Sequence, residues 1–406
     1  MRILAISHLF PTLSERRYGI FVARQLAAMA ALAAEITVIV PRVWCPSWLR
    51  RFERYKGYGP GVPLCAYEGL ETVPVSYLRP PGAWYNRWAG LAAYRSLRSL
   101  ALRHHRRRPF DVIYATDFFP DGDAAARLAR DLRIPATCLG IGFDVNSTAR
   151  LNRRMWRHFE RTARALDGTL ACGRSVAAGL EEVTGRKVLC VYGVIDMVQY
   201  CPVPDNRPFR RELHLPCEAT VLLYAGYLDA RKGIFELLNA FGNLARERSD
   251  VYLAMCGHGA QESALRESIA LQGLTERVLL AGNVDPDEMH KWMKAADLFV
   301  LASHTEGMPN VVMEAMACGL PVVATAVGGL PEAVGDCPGA ILVPPRDVAA
   351  LEAAIRKVVA ADKDARRSMG AASRRRAEER FDVRLNARRI LDYLAQVVER
   401  RAAACR

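Results

Sequence analysis

The sequence lacks any long apolar run, although 51% of its 406 residues are hydrophobic. It has nothing close to the roughly 18 uninterrupted apolar residues of a membrane-spanning helix. The first residues, MRILAISHLFP, contain no apolar stretch followed by a small-residue cleavage site, so they predict a first β-strand and not a secretory signal. We therefore expect a cytoplasmic protein, at most peripheral on the inner face of the plasma membrane.

The sequence also lacks paired cysteines and clustered metal ligands. The eleven cysteines include no CxxC pair, and several lie in apolar runs such as TCLG and LAMCG, which indicates reduced, buried thiols. The eight histidines show no metal spacing. The Asp-x-Asp triplets at 121–123 and 285–287 have the residue types that hold Mg²⁺, but each precedes a helical pattern, which favours helix capping. We expect no bound metal.

Acidic residues are relatively few in one half of the chain only. Residues 1–197 hold 29 Lys and Arg against 16 Asp and Glu, a net charge of +13, whereas residues 198–406 hold 27 of each. No K/R-G-F/Y pattern of an RNA-binding sheet occurs, so we expect no nucleic-acid partner. Within 42–108 the basic residues accompany Trp44, Trp48, Trp84 and Trp88. This combination favours an anionic membrane surface, and a merely solvated basic helix is the alternative.

Short apolar runs alternate with helical patterns along the whole chain, which predicts parallel sheets built from βαβ units. Two doubly wound α/β domains that face each other across a cleft fit the length. We place their boundary at the Pro-rich stretch after VLCVYG, giving domains 1–197 and 198–380 and a C-terminal helical segment, 381–406, that packs back over the junction. The predicted strands are RILAIS, EITVIV, DVIYAT, PATCLG and GTLAC in the first half, and TVLLYAG, VYLAMCG, RVLLAG, DLFVLAS, PVVAT and AILV in the second.

The sharpest motif is LFVLASHTEGMPNVVMEAMACGLPVVAT, residues 298–325. It predicts a strand, a loop that contains Glu306, and a helix from about Val311 to Cys318. Exposed N–H groups at the start of such a helix form an anion site. Glu306 and Glu314 cannot bind a phosphate, so they are candidates to accept hydrogen bonds from sugar hydroxyls. A solvated loop glutamate and a first-turn glutamate that favours the helix dipole are the alternative.

A second motif, LLYAGYLDARKGIFELLNAF at 222–241, places Arg231 and Lys232 in a short loop after a predicted strand. Two adjacent cations at the carboxyl end of a strand suit a diphosphate, with Arg as a fork and Lys as a point charge. Surface loops often carry Arg-Lys pairs without any such role. The glycine and the apolar helix that follow would hold this pair in place.

With these motifs the chain resembles the family-4 retaining glycosyltransferases of the GT-B fold, bacterial polysaccharide or envelope type. Glu306-x7-Glu314 with EAMACGLPVVAT and GGLPE resembles that family's donor signature, and GYLDARKG its diphosphate-binding loop. FPTLSERRYGIFVARQLAAMA resembles its glycine loop, with Gly19 in the glycine position, and GFDVN at 142–146 resembles its G-x-D-x-N stretch. The resemblance covers most of the chain except 42–108.

The resemblance implies two Rossmann-like domains, with the acceptor on the first and a nucleotide diphosphate sugar, UDP-linked by expectation, on the second. Glu306, Arg231 and Lys232 would be catalytic, and Asp144 and Asn146 would lie on the acceptor side. The activity would be metal-independent and cofactor-free transfer with retention, to a lipid-linked or polysaccharide acceptor in envelope or exopolysaccharide biosynthesis. The implied donor-binding residues are Gly19, Gly307, Met308, Pro309, Asn310, Val311 and Glu314.

Two positions depart from the family pattern. Tyr227 stands where many members have an arginine, and Ile141 where many have a histidine. The sequence also leaves rival functions open: a nucleotide-sugar epimerase or phosphorylase of the same fold, or a non-catalytic nucleotide-sugar-binding partner. A NAD dehydrogenase fits poorly, because GHGAQE at 257–262 lacks the third glycine of the dinucleotide fingerprint.

Overall fold

The computed structural model of the protein describes residues 1–46, 48, 51, 62–79 and 86–404. It divides into two compact units, Met1–Val194 with Val383–Arg406, and Ile195–Asp382. The sequence had placed the boundary after residue 197. Trp84 and most of the aromatic and basic stretch at 44–58 lie outside the described residues.

The first unit contains a sheet of seven described strands, all parallel, in the order β3-β2-β1-β4-β5-β6-β7. The order reverses between β1 and β4, so a topological switch point lies there. The strands are β1 (Arg2–Ile6), β2 (Glu35–Val43), β3 (Leu70–Tyr77), β4 (Val112–Thr116), β5 (Ala136–Gly140), β6 (Gly168–Ala171) and β7 (Leu189–Cys190).

Five of these strands match the predicted strands, β7 lies in the VLCVYG run before the predicted boundary, and the edge strand β3 was not predicted. Its sequence LETVPVSY is only partly buried and contains Pro74. An edge strand tolerates proline because one side of its backbone has no partner strand. The connecting helices are α1 (Ile20–Ala31), α2 (Asn86–Arg107), α3 (Asp123–Leu132), α4 (Arg153–Ala165) and α5 (Arg174–Thr184).

The second unit contains a parallel sheet of six described strands in the order β10-β9-β8-β11-β12-β13, with its switch point between β8 and β11. All six were predicted, because each is a short apolar run that ends near a glycine or a small-residue turn. They are β8 (Thr220–Ala225), β9 (Val251–Cys256), β10 (Val278–Gly282), β11 (Leu298–Leu301), β12 (Val322–Thr325) and β13 (Ala340–Val343).

The helices of the second unit surround this sheet, and the longer ones turn apolar faces inward. They are α6 (Arg207–Glu212), α7 (Ile234–Glu247), α8 (Glu262–Leu271), α9 (Met289–Ala295), α10 (Asn310–Ala317), α11 (Leu330–Val334), α12 (Val348–Ala360) and α13 (Lys363–Arg380).

The last helix, α14 (Val383–Ala404), belongs to the first unit. The sequence interpretation had set 381–406 apart as a separate segment. The structure differs because Ala387, Ile390 and Leu394 are fully buried in the same core as the strand residues Ile3 and Tyr114. The helix thus completes the core of the unit in which the chain begins.

The two predicted Rossmann-like parallel-sheet domains are therefore confirmed.

Among the described residues, no helix is long and apolar enough to cross a membrane. In the same part of the chain the cysteines are free thiols, and Cys45, Cys138, Cys256, Cys318 and Cys337 are buried.

Candidate functional site

In a doubly wound sheet, ligands bind beyond the carboxyl ends of the strands, at the switch point in strand order. In the second unit this point lies between the end of β8 at Ala225 and the end of β11 at Leu301. The two loops that follow these strands carry the predicted cations and the first predicted carboxylate. The fold therefore brings both sequence motifs to the same edge.

The loop after β8 forms a tight helical turn over Ala230–Lys232. Asp229 caps this turn by accepting a hydrogen bond from the backbone N–H of Arg231 at 2.8 Å. The Arg231 side chain is 77% exposed and forms two bonds of 3.1 Å to the Asp229 carboxylate. The Asp229 carboxylate competes with other anions for the guanidinium, which nevertheless remains open to solvent at the sheet edge.

The structure places Lys232, one of the two predicted cations, against the predicted carboxylate Glu306. Its Nζ lies 2.8 Å from Glu306 Oε1, and the two side chains are 27% and 10% exposed. Ser303 donates its hydroxyl to the same oxygen at 2.6 Å. Because the Thr325 hydroxyl donates to the Ser303 carbonyl at 2.5 Å, the ends of β11 and β12 fix the position of Glu306.

His304 joins the two loops of the switch point. Its backbone N–H donates to the Arg231 carbonyl at 2.8 Å, and its Nε2 lies 2.7 Å from Glu236 Oε1. In the structure it holds the cation-bearing loop against the loop that contains Glu306.

The segment after Glu306 leads into α10, which begins at Asn310 with Pro309 as its N-cap. The start lies one residue before the predicted one. Pro309 has φ −75° and ψ 111°, and no side chain among the described residues caps this helix. Its first N–H groups are therefore not used by a capping side chain, as an anion site requires.

Two adjacent glycines, Gly328 and Gly329, lie against this segment. The N–H of Gly329 donates to the Gly307 carbonyl at 2.7 Å. A Cβ on Gly328 would lie 1.9 Å from the Glu306 carbonyl, and one on Gly329 would lie 3.1 Å from the sulfur of Met308. The GG pair of VGGLPE therefore allows the two loops to touch. Glu314 follows within α10 and is 9% exposed.

In the first unit, Gly19 precedes α1 with φ 70°. A Cβ there would lie 2.3 Å from the Leu9 carbonyl carbon, so only glycine allows the loop to approach the backbone after β1. Gly19 thus has the close backbone contact expected of a glycine loop.

The two residues predicted on the acceptor side have different environments. The Asp144 carboxylate is buried and accepts four backbone N–H bonds, from Phe118 at 3.0 Å, Ile141 at 3.1 Å, Gly142 at 2.9 Å and Val145 at 2.9 Å. It therefore organises the loops after β4 and β5. Asn146 is exposed, and its Nδ2 lies 3.5 Å from the Ser175 hydroxyl.

Sequence reasoning missed a group at the switch point of the first sheet. His8 follows β1, Asp117 follows β4, and Asp121 lies in the next turn. His8 Nδ1 lies 2.9 Å from Asp121 Oδ2. The sequence carried part of this signal, since His8 and Asp117 each stand just past a predicted strand, but only the strand order places them together.

Neither aspartate of the first Asp-x-Asp triplet caps α3 with its side chain, although Asp123 stands in the first turn of that helix. Asp121 is fully buried against His8, and Asp123 contacts Arg127 at 3.2 Å and His158 at 3.4 Å. In the second triplet, Asp285 accepts the N–H of Asp287 at 2.9 Å, the local bond expected of a capping turn. Within the described ranges, no group of three His, Cys, Asp or Glu side chains is placed to hold a metal ion.

Comparisons with known proteins identify both halves of the chain. A family model for glycosyl transferases group 1 matches residues 205–376, and one for a glycosyl transferase 4-like domain matches residues 18–192. A putative teichuronic acid biosynthesis glycosyltransferase, TuaC, of Bacillus subtilis is 28% identical over 87% of this chain and 88% of its own length. A D-inositol 3-phosphate glycosyltransferase of Xylanimonas cellulosilytica is 33% identical over 60% of each chain.

Two solved structures share the fold across nearly the whole chain. Sucrose-phosphate synthase from Thermosynechococcus elongatus aligns with a TM-score of 0.73 and 20% identity, over 98% of this chain and 99% of that one. Anabaena Alr3699/HepE in complex with UDP aligns with a TM-score of 0.71 and 20% identity, over 98% and 100%.

The turn that carries Lys232 requires glycine at position 233. A methyl group added there should therefore destabilise the protein strongly. Gly233 has φ 65°, and an added Cβ would lie 1.9 Å from the Ala302 carbonyl oxygen. We expect Gly233→Ala to lower the free energy of unfolding by roughly 2–4 kcal/mol, from backbone strain and overpacking together. Urea unfolding followed by circular dichroism measures this.

Gly273→Ala is the matched control in the same unit, because Gly273 has φ 68° with no atom within 4 Å of an added Cβ. It should cost only the strain of the left-handed backbone, about 1–2 kcal/mol. Equal losses in the two variants would show that the contact between Gly233 and Ala302 is not tight.

Proposed function

Because the chain belongs to the GT-B glycosyltransferases, with a glycosyl transferase 4-like domain followed by a group 1 domain, we propose that it transfers a sugar from a nucleotide diphosphate donor with retention of configuration. The donor binds the second unit, and no metal takes part. The observation that carries this proposal is the contact of Lys232 with Glu306 at the β8/β11 switch point.

Arg231 and Lys232 bind the leaving diphosphate. Arg231 and Lys232 stand together on one turn at the carboxyl edge of the sheet, where they neutralise the charge that grows on the departing phosphate oxygens. Arg231 exchanges its bond to Asp229 for the phosphate with little rearrangement, since its side chain is 77% exposed. The backbone N–H groups of 307–311 bind the same phosphates at the start of α10.

Glu306 and Glu314 bind hydroxyl groups of the donor. Glu306 is held by Ser303 and Lys232, and it accepts a hydroxyl of the donor sugar near the reacting carbon. Glu314 accepts the ribose hydroxyls. In the reaction the acceptor oxygen bonds to the anomeric carbon as the bond from that carbon to the phosphate oxygen breaks. The departing oxygen takes the acceptor proton on the same face, so configuration is retained.

The nucleotide is uridine diphosphate in this proposal. A protein of the same fold, Alr3699/HepE, has been solved with UDP, which supports the choice of base. The acceptor is a lipid-linked or polysaccharide chain of the envelope, and it binds the first unit. The similarity to a protein with a teichuronic acid biosynthesis name supports that class of acceptor.

Residues of the first unit support contact with an anionic membrane that carries such an acceptor. Trp44, Trp48 and Trp88 are 47%, 61% and 44% exposed. Indole rings favour the headgroup region, and each basic residue near the surface adds about 1 kcal/mol of attraction to anionic lipid. The helix α4 adds a row of exposed arginines, namely Arg153, Arg154, Arg157, Arg161 and Arg164.

We expect the protein to sediment with phosphatidylglycerol vesicles at low salt and to be released at high salt, because salt screens the attraction. A Trp44→Ala, Trp48→Ala variant should sediment less, whereas Leu271→Ala, at an 81% exposed position of the second unit, should not differ from wild type. Equal recovery with neutral phosphatidylcholine vesicles at low salt would contradict membrane docking.

The donor site is tested by substitution. A thermal-shift panel of UDP-, GDP- and ADP-sugars first identifies the donor. Glu306→Ala and Arg231→Ala should then each lower its turnover by roughly two orders of magnitude or more, the usual effect of removing a group that stabilises transition-state charge. Both variants should keep the melting temperature within a few degrees of wild type.

Lys291→Ala is the matched control, because Lys291 also contacts glutamates, Glu212 at 2.7 Å and Glu288 at 2.5 Å, on the same unit. It should retain full turnover. Near-normal turnover in both Glu306→Ala and Arg231→Ala would overturn the site. Conversion of the donor sugar without any acceptor would instead favour an epimerase.

A further inference from the structure

The switch point of the first sheet holds an ordered histidine that the donor chemistry does not use. Asp121 Oδ2 accepts two bonds from His8, one from its backbone N–H and one from Nδ1, each at 2.9 Å. A carboxylate can only accept, so Nδ1 carries a proton and the ring orientation is fixed. Nε2 is therefore the atom that His8 offers to other groups.

The burial of this pair is uneven. The Asp121 side chain is 0% exposed, whereas the His8 side chain is 22% exposed. Nε2 of His8 forms no hydrogen bond with any residue that the structure describes. Asp121 thus accepts the hydrogen bond of the buried Nδ1, whereas Nε2 has no hydrogen-bond partner among the described residues.

Asp117 stands beside His8 in an unusual conformation. It is 8% exposed and has φ 85° and ψ 134°, a strained region for a residue with a side chain, of the kind that collects at functional sites. Its Oδ1 accepts the Phe119 N–H at 2.9 Å. Its Oδ2 accepts no bond from the described part of the chain. The buried Asp121 Oδ1 also lacks a partner there.

The charges indicate which ligand fits. The charges of Asp117 and Asp121 act on His8, as does that of Arg79, and Asp144 acts on Asp117. The oxygen atoms of these carboxyl groups attract hydrogen-bond donors and not an anion, and no metal-binding group forms among the described residues. A neutral polyol fits, because a hydroxyl both donates to Asp117 and accepts from an imidazole N–H.

The protonation of the imidazole agrees with that choice. Burial alone would lower the pKa of His8, but the adjacent Asp121 carboxylate, helped by Asp117, outweighs burial and raises it above the ordinary value. The ring therefore carries N–H groups on both nitrogens over a wider range of pH. An exposed aromatic ring, Phe143, follows the neighbouring strand β5 and is 72% exposed, which supplies an apolar face for a sugar ring at the same sheet edge.

We propose that His8 Nε2 and Asp117 Oδ2 bind hydroxyl groups of the acceptor sugar, with Asp121 as the positioning residue that holds the imidazole. This inference rests on the proposed function, since it takes the acceptor to be a glycan bound on the first unit. It makes His8 and Asp117 a sugar-binding pair at the β1/β4 switch point.

The test uses the full chain with ring-labelled histidine. Four octyl glycosides serve as probes below their micellar concentration: β-glucoside, β-galactoside, α-mannoside and N-acetyl-β-glucosaminide. His8→Asn assigns the His8 resonance. It also keeps an amide N–H near Asp121 and removes Nε2, so it separates the ligand contact from the buried contact.

With wild type we expect at least one glycoside to shift the His8 resonance. His8→Asn and Asp117→Asn should each weaken glycoside binding by about tenfold, the value of one hydrogen bond to a charged group. Both should keep the thermal shift caused by UDP. His158→Asn is the matched control, because His158 also contacts a buried aspartate, Asp123, at 3.4 Å, and it should bind glycosides as wild type does.

The role of Asp121 has its own readout. Asp121→Asn should lower the pKa of His8 in the same labelled protein, because burial then acts with less opposition from a carboxylate. An unchanged His8 titration would remove Asp121 as the positioning residue.

The proposal is overturned if no glycoside shifts His8, if both variants bind glycosides as wild type does, or if they lose UDP binding and melting temperature together. The last outcome would mark a structural role. Failure of the proposed function is distinguishable, because it would appear as an absence of any UDP-dependent thermal shift in wild type, whatever the glycosides do.

Discussion

The contact of Lys232 with Glu306 is the interaction on which the second unit's site depends. It joins the loop after β8 to the loop after β11, and Ser303 and Gly233 fix one partner each. A lysine with a carboxylate at 2.8 Å and both side chains largely covered is costly to desolvate, so it gives weak evidence of stability. The contact lies at the switch point of the sheet, where doubly wound folds bind their ligands, and this position gives it a functional meaning.

The two units repeat one arrangement with different chemistry. Each parallel sheet reverses its strand order once, and each reversal has a paired cation and carboxylate beside it. In the second unit the pair lies on a turn with two cations and an uncapped helix, which suits a diphosphate. In the first unit a histidine faces an excess of buried carboxylates, which suits hydroxyl groups. The sheets place the residues, and the local charge balance decides the ligand.

Sequence patterns predicted all described strands of the second unit, because they are short apolar runs, and its candidate site residues lie in two short motifs beside them. The first unit was harder to predict from the sequence. Strand β3 is an edge strand with Pro74, and it lacks an apolar run. His8 and Asp121 are 113 residues apart, so no local spacing joins them. Asp144 has the residue type of a ligand, but only the folded chain shows that four backbone N–H groups already occupy its carboxylate.

The most direct measurement is calorimetric binding of UDP and of uridine to wild type and to an Arg231→Ala, Lys232→Ala variant. If these cations bind the diphosphate, wild type should prefer UDP to uridine by tenfold or more, since a hydrogen bond to a charged group contributes about 1.5–3 kcal/mol. The variant should lose most of that preference and keep only the part that the N–H groups at the start of α10 supply. A variant that keeps the full preference for UDP would contradict the assignment of this loop to the donor.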